Sequence, residues 1–144
     1  MVKSLPNVFK LKGVESLTDI DIALIMSFRA LGAAQNGPRR SRIIIVSDVR
    51  LQHHAVTTRK WLSGLLADLK SKGFTTLALI NPEVHPTEEV QAILILFDGE
   101  IKIAERETPK GPKKTLRIKK MYNQRYLENE VSLSKEKTRR TGRA

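Results

Sequence analysis

The sequence contains no cysteine, which excludes a disulfide framework, a thiolate zinc site and a cysteine nucleophile. Histidine is nearly as scarce, with three in the chain. His53 and His54 are adjacent, and neighbouring side chains on a helix diverge by about 100°, so they do not chelate one ion as an i, i+4 pair would. Aromatic residues make up 5% of the chain, too few for a platform on which single-stranded bases stack. No helix-turn-helix, RNP or zinc-finger signature is present to read a base sequence. No apolar run is long enough to cross a bilayer, and residues 1–12 lack the apolar centre of a signal peptide. The expectation is a cytoplasmic protein without membrane contact. The two glycine patterns that cradle phosphates, G-x-x-x-x-G-K-[ST] and G-x-G-x-x-G, occur nowhere.

What remains is a chain of 144 residues, 40% hydrophobic, with a net charge of +11. That length carries one ordinary domain with a core, plus tails. The charge is placed late: Lys110, Lys113, Lys114, Arg117, Lys119, Lys120 and Arg125, then Lys135, Lys137, Arg139, Arg140 and Arg143. Clustered cations release counterions when they meet phosphates, so nucleic acid is one class of partner to weigh. The other meaning of Lys113, Lys114, Arg117 and Lys119 is a solvated strand edge that discourages strand pairing.

Periodicity gives an α/β order. Residues 7–11 alternate and predict a short strand. Ser16-Leu17-Thr18-Asp19 is a helix start of capping-box type, and Ile20, Leu24, Phe28 and Leu31 recur at helical spacing up to Gly32. Residues 35–40 read as a polar connector. Ile43-Ile44-Ile45-Val46 is a β-branched run of the kind buried on both faces in a parallel sheet. Leu62, Leu65, Leu66 and Leu69 mark a second helix over 54–72, ended by Gly73. Residues 74–80 form the next strand, and Pro86 with Glu88 and Glu89 opens a helix running to about residue 96. Ile101 and Ile103, then Leu116 and Ile118, alternate on either side of Thr108-Pro109-Lys110-Gly111-Pro112, the pattern of an antiparallel hairpin. The hairpin is expected to extend one edge of the sheet. Residues 1–134 are read as the domain and 135–144 as a basic disordered tail.

Candidate chemistry lies at Asp48, which follows the apolar run. In open α/β sheets ligands bind beyond the carboxyl ends of strands, and a carboxylate there can hold magnesium beside nucleotide phosphates. The plain alternative is an acid that closes a turn. Asp98-Gly99 reads as a turn into the hairpin, His85 between prolines as a residue that orders its loop, and Trp61 as a core or interface residue.

The segments Arg42-Ile43-Ile44-Ile45-Val46-Ser47-Asp48, Phe74-Thr75-Thr76-Leu77-Ala78-Leu79-Ile80-Asn81, Phe97-Asp98-Gly99-Glu100-Ile101 and Leu116-Arg117-Ile118-Lys119-Lys120-Met121 occur in an order that resembles the KaiC-like branch of RecA-type P-loop ATPases. More narrowly, Leu51-Gln52-His53-His54, Thr58-Arg59-Lys60-Trp61-Leu62 and the Asn81-Pro82-Glu83-Val84-His85-Pro86 loop are similar to archaeal proteins of the gas-vesicle regulator type, GvpD. The resemblance covers residues 5–136. It implies a mostly parallel sheet flanked by helices, with a C-terminal antiparallel hairpin, shortened at its N-terminal side by a strand, phosphate loop and helix. It further implies that Asp48 is the Walker B acid and that Lys120 matches a lysine that reaches a neighbouring subunit's nucleotide. Tyr122 stands where that family's motif has an arginine, although Arg125 follows closely, and the acids that position attacking water have no counterpart.

These points together give the expectation of a regulatory or partner-docking module that does not hydrolyse ATP alone and has no cofactor of its own. ATP and magnesium would enter through a P-loop partner, or a homo-oligomer, docked on the exposed sheet edge. The alternatives are a small basic protein that binds nucleic acid weakly and without sequence preference, and a fragment of a complete ATPase whose phosphate loop is encoded upstream.

Overall fold

A computed structural model describes residues 8–32 and 37–134. The chain divides into two compact units, one ending at Ile93 and the other beginning at Leu94. The tail from residue 135 lies outside the described residues.

The first unit opens with α1 (Leu17–Leu31). Ser16 Oγ accepts from the Asp19 N–H at 3.2 Å, and Gly32, at φ 59°, donates its N–H back to the Phe28 carbonyl. Both ends stand where the sequence placed them, because a serine cap and a positive-φ glycine are local devices. Residues 8–11 form no strand: they have no partner strand among the described residues.

Two parallel strands follow, β1 (Arg39–Ile43) and β2 (Phe74–Ala78), paired from Arg39↔Phe74 to Ile43↔Ala78. The chain crosses between them through α2 (Val46–Gln52) and α3 (Ala55–Ser71). Gly73, at φ 77°, turns the chain from α3 into β2. The first strand therefore sits about one helical turn earlier than the β-branched run suggests. Arg39, Arg40 and Arg42 are strand residues, Ile44 and Ile45 link strand to helix, and Val46 begins α2.

The reason lies in the two faces of the pair. Ser41, Ile43, Thr76 and Ala78 alternate on the covered side, where Ser41 and Thr76 share a hydroxyl hydrogen bond of 2.6 Å. The other side is exposed and accepts arginine. Val46 and Val49, three apart, are both buried on the inner face of α2, which is a helical spacing.

Leu62, Leu65, Leu69 and Trp61 of α3 bury with Ile20, Ile43, Val46 and Val49. Phe28 meets Phe74 with ring centroids 5.4 Å apart, and Trp61 Nε1 donates to Asp21 Oδ1 at 3.0 Å, so α1 is fixed to β2 and to α3. The short 3-10 turn Pro82–Val84 leads to α3's successor, α4 (Thr87–Leu94), which buries Val90 and Ile93.

The second unit is an antiparallel sheet in the order β3 (Gly99–Thr108), β4 (Gly111–Met121), β5 (Val131–Leu133). The hairpin turns at Pro109-Lys110. Gly111 takes φ 106°, a conformation that needs glycine, and Thr108 Oγ1 donates to the Gly111 carbonyl at 2.6 Å. The register shifts between Glu100 and Ile101, and the shift leaves Lys119 as the extra residue of a bulge. The hairpin does not extend the edge of the parallel pair; it forms a sheet of its own with β5. The α/β class, with a parallel pair, helices and a C-terminal hairpin, is as the sequence implied.

Candidate functional site

Both parallel strands end toward the same loops. β1 runs out through Ile44 and Ile45 into α2, and β2 runs out through Leu79 and Ile80 to Asn81. Pairing continues one step past β2, where the Leu79 N–H donates to the Ile43 carbonyl at 2.9 Å. The Asn81 N–H then donates to Ser47 Oγ at 2.9 Å, and Asn81 Oδ1 accepts from the Glu83 N–H at 3.1 Å. Ser47 and Asn81 are thus held together at the carboxyl end of the sheet, the place where open α/β folds bind ligands.

Asp48 lies here, in the first turn of α2, exposed. It does not follow the strand directly, as the sequence pattern had it, but stands five residues beyond Ile43. Its carboxylate is well placed for the helix dipole, which is the structural role that any acid in a first turn has. Among the described residues no group of three or more His, Asp or Glu side chains comes together to hold a metal ion. One carboxylate beside a serine hydroxyl is the oxygen-only donor set that magnesium accepts, but that ion takes its remaining ligands from phosphate and water.

Beneath this edge an ion pair fixes α2 to α4. Arg50 Nε and Nη2 both reach Glu89 Oε2, at 2.7 and 2.5 Å, and Arg50 Nη1 donates to the His53 carbonyl at 2.8 Å. The hydrogen bond from Arg50 holds the Glu89 carboxyl below its ordinary value of 4.5. His53 Nε2 bonds the Val14 carbonyl at 2.8 Å, whereas His54 is the residue before α3 and caps nothing with its ring. The two adjacent histidines therefore go to different tasks. His85 is half-buried, and its Nε2 has no hydrogen-bond partner among the described residues.

Lys120 lies in the other unit. Its Nζ donates to the Leu94 carbonyl at 3.2 Å and sits 5.2 Å from the centre of the Tyr122 ring. The ammonium thus satisfies the free carbonyl of Leu94, which belongs to the same unit, and gains a cation–π contact. Contact with a phosphate would require it to leave both.

The four cations singled out from the sequence do not act as one set. Lys113 and Arg117 share a face of β4, Lys119 is the bulge residue, and Lys114 points to the opposite face, 3.9 Å from Glu105. Lys102 and Arg106 of β3, which the sequence pattern did not single out, stand opposite Arg117 and Lys113. Only the strand register reveals that company. Ser47 and Asn81 were missed as a pair for the same reason, since 34 residues separate them.

No protein-family model matches this sequence, and no curated protein matches it either. Among solved structures, a KaiC-like protein from the hyperthermophilic archaeon Pyrococcus horikoshii superposes with a TM-score of 0.65 over 92% of this chain, at 17% identity. The fold is KaiC-like. This chain spans 55% of the length of that protein. The KaiC-like fold accounts for the parallel strands, the helices between them and the antiparallel hairpin that follows. No helix among the described residues is long and apolar enough to cross a membrane.

Proposed function

We propose that this chain is a regulatory docking module of KaiC-like fold, related to the archaeal GvpD type, that has no phosphate cradle and meets ATP only through a partner that supplies one. One observation carries this reading: the outer face of the parallel pair is bare. Ile44, Leu77 and Leu79 lie there beside Arg40, Arg42 and Thr75 and are 56%, 52% and 49% exposed. Parallel strands are normally covered on both faces, and among the described residues each strand of the pair has an unpaired edge. Each of these side chains keeps about half its surface in water, so covering it is worth on the order of 1 kcal/mol.

The partner with the chemistry to cover this face is a polypeptide of the same fold class that carries strands and a glycine-rich phosphate loop. In such a complex Asp48 would hold a magnesium ion by its carboxylate, with phosphates and water completing the shell. The ion would neutralise charge on the transferred phosphoryl group. Ser47 and Asn81 keep the approach to Asp48 in one shape. Lys120 is the candidate for a contact with a neighbouring subunit's phosphates.

The test is calorimetry of magnesium and ATP binding to the purified chain at low salt, beside Asp48→Ala. The expected result is no binding beyond the weak, salt-sensitive attraction of a basic surface, equal in both proteins. Tight binding that is lost in Asp48→Ala would show a complete nucleotide site in this chain and overturn the proposal.

A further inference from the structure

The sheet of the second unit has two chemically different faces. Ile101, Ile103, Leu116, Ile118, Val131 and Leu133 alternate on one, where the charged positions Glu105 and Lys114 stand opposite each other as an attractive pair. On the other face the register sets like against like: Lys102 faces Arg117, and Arg106 faces Lys113. Like charges directly opposite destabilise a sheet. Glu130 relieves only Arg106, at 3.3 Å, and shares that same oxygen with Thr115 Oγ1 at 2.8 Å. Lys102, Lys113 and Arg117 are exposed and make no ion pair among the described residues. Lys119, exposed at the bulge, continues the row beside Arg117.

We propose that this face binds the phosphodiester backbone of a nucleic acid strand, without reading its bases. The two cation pairs are four residues apart, about 13.6 Å along an antiparallel strand, so one backbone laid along the face can meet both. Between the pairs lie the small side chains of Ala104 and Thr115 and the Glu130 carboxylate that bonds Thr115 and Arg106, so the open cations of this face are Lys102, Lys113, Arg117 and Lys119. Among the described residues the paired positions of this face carry no aromatic residue to stack a base and no large apolar residue to form the dry centre of a protein interface. A regular polyanion suits it better than an acidic protein patch. From Gly99 to the end the sequence holds fourteen Lys and Arg against six Glu, so most of the excess charge belongs to this unit and the tail that follows β5. The surface is built from residues other than those of the docking reading and does not rest on it.

Fluorescence anisotropy of a short labelled single strand of mixed sequence, titrated with the full chain, tests this. Four phosphate contacts predict that affinity falls roughly 50-fold between about 50 and 200 mM salt, and removing two contacts should halve the logarithmic slope. Lys102→Gln with Arg117→Gln should therefore weaken binding at least tenfold at low salt. Arg59→Gln with Lys60→Gln, the same charge change on exposed positions of α3, should leave it within about twofold. The Lys102/Arg117 variant should melt no earlier than the parent, because a repulsion has been removed.

Equal loss in the two variants would reduce the effect to net charge and overturn the proposal. So would undiminished binding by the Lys102/Arg117 variant, or a lowered melting temperature with the weaker binding. Displacement of the strand by polyglutamate as readily as by unlabelled strand would assign the face to acidic polypeptides instead.

Discussion

Ser47 Oγ accepts the Asn81 N–H at 2.9 Å, joining the two segments that leave the carboxyl ends of the parallel strands. A hydrogen bond of this kind contributes about 1 kcal/mol net. It also ties the first turn of α2, which carries Asp48, to the loop that follows β2. Ser47→Ala should lower stability by about 0.5–1 kcal/mol in urea unfolding and speed amide exchange at Asn81 selectively. Unchanged exchange at Asn81 would mean that the loop is held by other contacts.

The ion pair between Arg50 and Glu89 makes part of the stability pH-dependent, with a sign fixed by the lowered Glu89 value. A carboxyl whose folded value lies below its unfolded one stabilises the fold above the unfolded value and stops doing so as pH falls through the folded one. The stability difference between the parent and Glu89→Gln should thus be largest near neutrality and be lost as pH falls through the lowered Glu89 value. Unfolding curves across that window measure it. A difference that persists at the acid end would show that Glu89 acts through packing and not through its charge.

How much of this was legible in the sequence depended on whether the deciding interaction was local. Ser16 and Gly32 announce the ends of α1 within the chain's own neighbourhood, and Pro109-Lys110-Gly111 announces the hairpin turn. β1 was misplaced because a run of β-branched residues was weighed above an arginine-rich stretch. Arg40 and Arg42 sit in that strand because one face of the pair is bare, and Arg39 because it lies over the Phe74 ring, both tertiary facts. β5 is three residues long and exists through its pairing with Lys114, Thr115 and Leu116, so nothing near Val131 could signal it. The same holds at the candidate sites. Asp48 was visible as an acid after an apolar run, whereas Ser47 with Asn81, and Lys102 with Arg117, are meetings of distant segments.

Thr58 is fully buried in α3, and its hydroxyl has no hydrogen-bond partner among the described residues. A buried hydroxyl without a partner loses its water and gains nothing in return. Thr58→Val keeps the branched shape and removes the polar atom, so it should raise stability by about 1 kcal/mol, read as a higher urea midpoint at unchanged slope. A lowered midpoint would mean that a water or an alternative rotamer satisfies the hydroxyl in solution.

The bare face of the parallel pair makes the sharpest distinction between a docking surface and an ordinary solvated one. Leu77 and Leu79 lie on it half exposed, and the Ile44 side chain beside them is exposed as well. Substituting exposed positions usually shifts stability by no more than about 0.5 kcal/mol, so Leu77→Ser with Leu79→Ser should fold as the parent does. Association should respond quite differently. The parent, with open parallel edges and these exposed leucines, should self-associate with rising concentration in sedimentation velocity, or be held in a complex by a partner of the same fold. The double variant should sediment as a monomer and fail to join such a complex. If parent and variant sediment alike as monomers and join the complex equally, the face is merely solvated, and whatever regulates or completes this chain must bind elsewhere.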